Sequence, residues 1–308
     1  MNKGMKIFKT IVIILLVMVL GVVSYGAITM YQGFKQAENP SPVSELPVFK
    51  GEQAEEGKVN IMLVGSDARS NDELGRADTL MIAQYDKKTK VPKLISIMRD
   101  CYVDIPGYGE DKINAAYSYG GPELMRETLK ANFDLPIEYY AALTFSEFTD
   151  LINELFPKGV EIDAEKDIEL DGVSIKTGNQ RMDGNTLLQY VRFRKDEESD
   201  FGRVRRQDQA IGELSKQAVD VANIARLPKV LGLSLGYLDT NLTATSIMSI
   251  ASDFVLGQQK DLQSLAIPME DTWEFDDNTE SGSVIRLDFQ ANSDEMHRFL
   301  GQKVEEEP

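Results

Sequence analysis

The chain has very few of the residues on which many catalytic centres depend. Its 308 residues include one cysteine, one histidine and one tryptophan. A single cysteine excludes an internal disulfide framework and a cysteine-rich zinc site. The lone histidine, His297, lies close to the end of the chain, which disfavours a Ser-His-Asp triad or a histidine-ligated zinc ion. Any chemistry must therefore depend on arginine, lysine, carboxylates, hydroxyl groups or a metal ion held by oxygen ligands.

Positive charge is also scarce. The chain carries 33 basic and 50 acidic residues, which gives a formal net charge of -17. Nucleic-acid-binding proteins need a basic surface to contact phosphates, so this composition predicts no nucleic-acid partner. The length suits one large domain or two small ones, and 42% hydrophobic residues are enough to form a core.

An uncharged segment near the N-terminus predicts a membrane anchor. Residues 10–34 contain no charge, whereas a spanning helix needs about 20 apolar residues. Three lysines lie in residues 1–9, and the positive-inside rule then predicts a cytoplasmic N-terminus and a single-pass topology with the main domain outside the cell. The alternative is a cleavable signal peptide, whose apolar region is usually about 7–15 residues long. The greater length and the lack of a clear Ala-x-Ala site favour the uncleaved anchor.

The segments after the anchor predict a spacer followed by one domain. Residues 35–57 are rich in proline and acids and are predicted to form an extended spacer. Beyond them, strand-like and helix-like segments alternate, which indicates a three-layer α/β/α fold with a central mixed sheet. No linker divides residues 58–303, so we expect one domain followed by an acidic tail at 304–308.

The local patterns place the individual elements. Strands are predicted at 59–64, 79–85, 93–98, 139–143, 262–267 and 284–289. Helices are predicted at 122–132, 146–156, 184–191, 201–223, 244–256 and 293–303. Asp200 is the expected N-cap of the helix at 201–223. Residues 99–120, rich in Gly, Tyr, Asp and Asn, are expected to be a functional loop.

Two acidic residues lie at the ends of neighbouring predicted strands. Asp67 belongs to the sequence GSDAR and Asp78 to the sequence GRADT. Neighbouring strand ends would allow both carboxylates to share Mg²⁺, which takes a few carboxylates together with phosphate oxygens and water. In the other interpretation both are turn or capping residues, which is the commoner role of aspartate beside glycine.

Arginine is concentrated in one short segment. Five of the 13 arginines lie between residues 192 and 206. The side chains expected to share a direction are Arg203, Arg206 and Gln207 on one helix face, and Arg192 and Arg194 in an extended stretch. Arg205 falls on another face and is expected to be solvated or paired with an acid. Because guanidinium groups bind phosphate oxygens in pairs, the cluster predicts an anionic ligand; the alternative is a set of salt bridges to the acids at 196–200.

Two further features each have two interpretations. The segment 99–121 carries Arg99, Asp100, Lys112 and Asn114, and it is either a loop that contacts phosphate and sugar or a self-packed Ω-loop. The helix at 146–156 has an apolar face that is either core or part of the wall of a lipid channel; its residues are Phe145, Phe148, Leu151, Ile152 and Leu155. Phosphate-binding GKS/T and GxGxxG motifs are absent, so the sequence does not support nucleotide use.

In chain order, these motifs resemble the LytR-CpsA-Psr family of Gram-positive cell-envelope proteins. The similar segments, between about residues 58 and 220, are GSDAR, GRADT, LISIMRD, IPGYGEDKINAAYSYGGPE, YVRFRKD and DFGRVRRQ. The resemblance implies a membrane-anchored phosphotransferase on the outer face of the cell membrane. Its expected reaction moves a glycopolymer (wall teichoic acid, or capsular or secondary wall polysaccharide) from polyprenyl pyrophosphate to a peptidoglycan hydroxyl. The segment MRDCYV departs from the family's PRDTYV at Met98 and Cys101.

The resemblance also implies roles for individual residues. Asp67 and Asp78 match the residues that hold Mg²⁺ or Mn²⁺. The pyrophosphate-binding positions are Arg76, Arg99, Arg192, Arg194, Arg203 and Gln207, with Arg206 as an addition. Arg76, Asp78 and Arg99 are the expected catalytic residues. Two alternatives remain: a polyprenyl-pyrophosphate phosphatase, which would use water as the acceptor, and a non-catalytic protein that binds the lipid carrier or regulates transcription.

Overall fold

The structure, a computed structural model, describes residues 24–36, 46–68, 74–218, 226–243, 245–247, 249–250 and 261–302. Of the predicted anchor, residues 10–23 lie outside this set, and residues 24–36 are helical. Within the described ranges, no helix has the length and apolar character needed to cross a bilayer. The predicted helix at 244–256 also lies largely outside the described residues.

Strands and helices are interspersed along the described part of the domain. The strands are β1 (Lys58–Ser66), β2 (Ala77–Asp86), β3 (Pro92–Ile97), β4 (Tyr102–Ile105), β5 (Gly109–Lys112), β6 (Tyr139–Thr144), β7 (Val160–Ala164), β8 (Ile168–Leu170), β9 (Val173–Ile175), β10 (Gly178–Met182), β11 (Asp239–Thr240), β12 (Gln263–Ile267), β13 (Trp273–Thr279) and β14 (Gly282–Leu287). The helices are α1 (Ile113–Phe133), α2 (Phe145–Leu155), α3 (Gly184–Arg192), α4 (Ser199–Ala218), α5 (Leu227–Tyr237) and α6 (Phe289–Leu300).

Six strands form the central sheet in the order β11-β6-β1-β2-β3-β12. The pairs β1–β6 and β3–β12 are parallel, whereas β1–β2, β2–β3 and β6–β11 are antiparallel. The prediction of an α/β fold with a central mixed sheet is therefore confirmed. Four short two-stranded ladders, β4–β5, β7–β10, β8–β9 and β13–β14, surround it.

The two faces of the sheet have different roles. Side chains of successive strand residues point to opposite faces. On β1, Met62 and Val64 are buried in a core that also contains residues of α1 and of the β4–β5 hairpin. Leu63 and Gly65, on the other face, line a cavity bounded by α2, α3 and α4. A second apolar core lies among α2, β7, α3 and α4. The first face of the sheet packs into the core, and the second face lines the cavity.

The segment 99–120 is mostly regular structure, so the prediction of a loop there is wrong. It contains the hairpin β4–β5 and the start of α1. Val103, Ile105 and Ile113 are buried, and this burial supplies the stabilisation that the turn-rich composition concealed. The α1 path is interrupted where Gly121 adopts a φ of +66° immediately before Pro122.

Helix α4 begins two residues earlier than predicted. Its first residue is Ser199, so Asp200 lies in the first turn and is not the N-cap. A carboxylate in the first turn is favourable beside the positive end of the helix dipole. Here the position has a second consequence, because it directs Asp200 toward the end of β3.

Candidate active site

Asp67 and Asp78 lie at the adjoining ends of the antiparallel strands β1 and β2. The register of β1 and β2 shifts between Gly65, which pairs with Thr79, and Ser66, which pairs with Ala77. Asp78 is therefore the extra residue of a β-bulge, a feature that often redirects a side chain at an active site. Asp67 Oδ1 accepts the backbone N–H of Arg76 at 2.7 Å.

Gly75 is required for the contact between Asp67 and the backbone of Arg76. Its φ is +66°, and a Cβ atom at this position would lie 2.8 Å from Asp67 Oδ1 and 2.5 Å from the backbone nitrogen of Ala68. A side chain would therefore push the Asp67 carboxylate away from Arg76. The glycine of the GRADT motif holds the first candidate metal ligand in place.

Arg99 connects three acidic side chains. It follows β3, and its Nη1 donates to Asp78 Oδ1. Arg99 Nε lies 3.5 Å from Asp100 Oδ2 and 3.9 Å from Asp200 Oδ2. The Nε–H is buried and makes no hydrogen bond to any described residue. This guanidinium is fixed by its neighbours and still has a donor to offer.

Asp100 and Asp200 share a hydrogen bond, which requires a proton on one of them. Burial, and then this hydrogen bond, raise the pKa of Asp200. Burial alone would raise the pKa of Asp100, but hydrogen bonds from Asp200 and Lys112 and the charge of Arg99 lower it overall. The two carboxyl groups thus shift in opposite directions, and Asp200 is the weaker acid of the pair.

Helix α4 supplies two more donors on one stripe. Arg203 is 4% exposed, and its Nη2 lies 3.4 Å from Asp200 Oδ1. Burial lowers its pKa, and its Nε–H also lacks an acceptor among the described residues. One turn on, Gln207 Nε2 donates to Thr79 Oγ1 at 3.0 Å. A buried N–H group without an acceptor is costly, and an anionic ligand would remove that cost.

Two arginines reach the same space from the end of α3. Arg192 is the last residue of α3, and its guanidinium lies 4.7 Å from the ring centroid of Phe145. Its Nη1 is 3.4 Å from Asp171 Oδ2. Arg194 follows in an exposed segment. Both residues line the cavity, although Arg192 is helical and not part of an extended stretch as predicted.

The cavity joins these polar groups to an apolar channel. Its volume is about 460 Å³, and its polar lining includes Asp78, Thr79, Arg99, Arg192, Arg194, Arg203 and Gln207. Its apolar wall includes Leu63, Met81, Phe145, Phe148, Leu151 and Leu214. The sequence left two interpretations of the apolar face of α2, core or channel wall, and both apply. Phe145, Phe148 and Leu151 line the cavity, whereas Ile152 belongs to the second core. The space suits a ligand with an anionic head and an apolar tail.

A larger cleft, of about 620 Å³, lies beside β7 and β10, and two of its amide side chains are already bound within the fold. Gln217 binds the backbone of Glu161, and Gln209 binds the carbonyl of Asp163 and the hydroxyl of Tyr190. These amides hold the fold together. The smaller cavity, where buried donors lack acceptors, is therefore the better candidate site.

Arg206 does not belong to this cavity, and its predicted place among the phosphate-binding residues is corrected. Its side chain is fully buried and lies 2.7 Å from Glu165 and 3.3 Å from Asp196. It also donates to the carbonyl of Phe193. Arg205, as predicted, lies on another face and pairs with acids, namely Glu165 and Glu198. For these two arginines the salt-bridge interpretation is the right one.

Arg76 and the rare residues occupy other places. Arg76 is exposed at the turn beside Asp67 and does not line the cavity. Cys101 is buried, and burial raises the pKa of its thiol, which removes it as a nucleophile. His297 bridges Gln302 and the carbonyl of Phe133, so its role is packing.

The sequence of α4 also carries a signal for the channel, which the arginine pattern alone did not reveal. Along α4, Arg203, Gln207, Ala210, Ile211 and Leu214 recur at intervals of three and four residues, and all line the cavity. The stripe changes from polar to apolar along the helix. This change of character follows the cavity from its polar rim to its apolar wall.

Fold and site together define a class: an α/β protein with an edge pair of carboxylates and an arginine-rimmed apolar cavity suited to an amphiphilic phosphate. The model of the LytR_cpsA_psr family matches residues 23–297. The chain belongs to this family, which confirms the resemblance of its motifs.

Three comparisons illustrate the relationship. The regulatory protein MsrR of Staphylococcus aureus (strain COL) is 40% identical over 271 residues, which cover 88% of this chain and 83% of MsrR. TagU of Enterococcus faecalis, a polyisoprenyl-teichoic acid–peptidoglycan teichoic acid transferase, is 29% identical over 82% of this chain and 85% of TagU. The structure of TagT, known from B. subtilis, bound to LIIa-WTA is 25% identical with a TM-score of 0.64, and the match covers 84% of this chain and 97% of TagT.

Proposed function

We propose that the protein is a membrane-anchored phosphotransferase that acts at the outer face of the cell membrane. It moves a glycopolymer phosphate, of the wall teichoic acid class or a capsular or secondary wall polysaccharide, from polyprenyl pyrophosphate to a peptidoglycan hydroxyl. One observation carries the proposal: the apolar cavity opens onto buried arginine N–H groups that lack acceptors among the described residues. The names of the relatives TagU and TagT–LIIa-WTA support this substrate class.

The geometry separates the two parts of the donor. The polyprenyl chain lies against Phe148, Leu151 and Leu214, where burying each CH₂ group contributes about 0.8 kcal/mol. The pyrophosphate lies at the rim, where Arg99 and Arg203 each have an Nε–H without an acceptor in the described part of the chain. Because guanidinium donors in a partly dry site interact strongly with phosphate oxygens, they also stabilise the charge that develops in the transition state.

In the proposed reaction, the acceptor hydroxyl attacks the phosphorus that carries the glycan. A new P–O bond forms to the acceptor, and the bond to the bridging oxygen breaks. Polyprenyl phosphate leaves, and the hydroxyl proton passes to a carboxylate of the site. Phosphoryl transfer of this type depends mainly on positioning and charge neutralisation. Arg99 is central because it is held by Asp78 and faces the phosphates.

Asp67 and Asp78 are the residues that would hold Mg²⁺ or Mn²⁺. Within the described ranges there is no group of three or more His, Cys, Asp or Glu residues arranged for a metal ion. Two carboxylates still fit Mg²⁺, which commonly takes one or two carboxylates and completes its shell with substrate phosphates and water. When bound, the ion would neutralise charge on the phosphate oxygens. The carboxylates themselves keep Arg76 and Arg99 in place.

Transfer of labelled glycan tests the proposal. The full chain is incubated with a labelled polyprenyl-pyrophosphate glycopolymer and peptidoglycan, and Arg99→Ala is compared with Arg205→Met. We expect Arg99→Ala to lower transfer by about 100-fold or more, since it removes a transition-state donor. Arg205→Met, whose side chain faces away from the cavity, serves as the control and should transfer normally.

The fate of the label separates the alternatives. Label on peptidoglycan identifies a transferase, and soluble glycan phosphate identifies a phosphatase. If the donor lipid binds but no label is released, the protein is a binding or regulatory protein. Full transfer by Arg99→Ala would contradict the assigned site.

A further inference from the structure

Two tyrosine rings stack on each other at the surface beside the candidate site. Tyr108, at the turn of the β4–β5 hairpin, is 59% exposed, and Tyr119, on α1, is 44% exposed. Their ring centroids are 4.8 Å apart and their planes differ by 17°. Exposed, ordered aromatic rings are costly to leave in water and commonly mark a contact surface. We call Tyr108 and Tyr119 the tyrosine platform.

The platform is connected to the residues of the candidate site. Ser118, next to Tyr119, donates to the carbonyl of Gly75 at 2.6 Å, and Gly75 precedes Arg76. The Tyr119 hydroxyl donates to Asp111 Oδ2 at 2.6 Å. Burial opposes the shift, but hydrogen bonds from Ser281 and Tyr119 and, to a smaller degree, the charge of Arg76 lower the pKa of Asp111. A sugar ring has an apolar face and polar hydroxyl groups. The flat tyrosine rings can contact the apolar face, and the nearby carboxylate, hydroxyl and guanidinium groups can form hydrogen bonds with the sugar hydroxyls.

The position of the platform indicates which sugar it contacts. In phosphoryl transfer the attacking and leaving oxygens lie roughly in line with the phosphorus. The leaving polyprenyl phosphate has its tail in the cavity, on the face of the sheet that carries Leu63 and Met81. The platform belongs to the β4–β5 hairpin and α1, which pack on the opposite face against Met62 and Leu80. An acceptor that approaches opposite the leaving group therefore arrives from the side of the tyrosines.

We propose that Tyr108 and Tyr119 form the acceptor subsite, where a sugar ring of the peptidoglycan glycan strand stacks before its hydroxyl attacks. This inference rests on the proposed function, because it needs an acceptor that is a glycan. The donor glycan is a different ligand with the same ring chemistry, and separate KM values for donor and acceptor distinguish the two.

The test compares two double variants of the full chain. Tyr108→Ala/Tyr119→Ala removes both rings, and Tyr108→Phe/Tyr119→Phe keeps them. With soluble glycan fragments of peptidoglycan as acceptor, the alanine variant should raise the KM for acceptor about tenfold, which equals about 1.4 kcal/mol. The KM for the lipid-linked donor should not change. The phenylalanine variant should stay close to wild type, because the stacking faces remain. Phe289→Ala, which removes an exposed ring on α6, is the matched control.

Binding of the same glycan fragments, measured by isothermal titration, tests the platform without any turnover. Weaker binding by the alanine variant than by wild type supports the platform. Equal binding by both, no binding by wild type, or a raised KM for the donor with an unchanged KM for the acceptor overturns it. If wild type binds the fragments but transfers nothing, the proposed function fails and the platform stands. If glycan is transferred normally and the alanine variant leaves the KM for acceptor unchanged, the platform fails and the proposed function stands.

Discussion

Replacing Arg206 by methionine tests how α4 divides its arginines between folding and ligand binding. Arg206 and Arg205 are adjacent and share Glu165 as a partner. They differ in burial, because the Arg205 side chain is 49% exposed and that of Arg206 is 0% exposed. Methionine has a similar length and no charge. Arg205→Met and Arg206→Met therefore form a matched pair with one shared acid and two environments.

The structure sets the expected magnitudes. Removing one member of a buried ion pair usually costs about 3–5 kcal/mol. Arg206→Met should lie near the lower end, about 3 kcal/mol, since Glu165 keeps Arg205 and Asp196 keeps Lys166 as a partner at 2.8 Å. An exposed pair contributes about 0.2–1 kcal/mol, so Arg205→Met should cost no more than about 1 kcal/mol. Domains of this kind have about 5–15 kcal/mol of stability, and both variants should fold.

Urea unfolding followed by circular dichroism gives the free energy of unfolding of each variant, and retention of donor lipid by each folded variant is measured alongside. We expect a large stability difference between the pair and normal lipid retention by both. Equal losses of stability would show that burial does not control the energy of these pairs. If Arg206→Met were stable but unable to retain the lipid, Arg206 would contribute to ligand binding. Its exclusion from the candidate site would then be wrong.

Three further outcomes are expected. Leu214→Trp should fill part of the channel and lower the amount of co-purified polyprenyl lipid about tenfold or more without unfolding the protein; unchanged lipid, measured by mass spectrometry, would contradict the channel. Thr79→Val should weaken donor binding a few-fold through loss of the Gln207 anchor, while Thr79→Ser should retain it. Burial raises the pKa of Asp208 from its ordinary value near 3.8, so the folded state binds the proton more tightly than the unfolded state. The stability of the wild type therefore falls as the pH rises above that ordinary value. Asp208→Asn should therefore gain stability relative to wild type as the pH rises above ~4, and a difference that does not change with pH would show that Asp208 does not titrate in this way.

Short-range patterns predicted much of the fold and part of the site. The placement of Asp67 and Asp78 at adjoining strand ends could be predicted because their motifs follow one predicted strand and precede the next, and these two strands are antiparallel neighbours. The bulge that redirects Asp78 has no local signature, since it arises from the register between β1 and β2. The β4–β5 hairpin was missed for a related reason. Its turn-rich composition is typical of a loop, and the burial of Val103 and Ile105 becomes visible only when α1 packs over them.

The error on Arg206 shows what helical periodicity leaves undetermined. Successive helical residues are separated by about 100°, so Arg206 and Gln207 lie on opposite sides of Arg203 around the helix. A wide polar face can therefore turn one edge toward a ligand and the other toward Glu165. The spacing of the apolar residues does not resolve the ambiguity, because Ala210 follows Gln207 at i+3 and Arg206 at i+4. The cavity lining resolves it, since a line of residues that contains Arg203, Gln207, Ile211 and Leu214 faces the cavity and Arg206 does not. One straight helix then fixes the anionic head and the apolar tail of the ligand relative to each other, and an arginine that leaves this line is free to stabilise the fold.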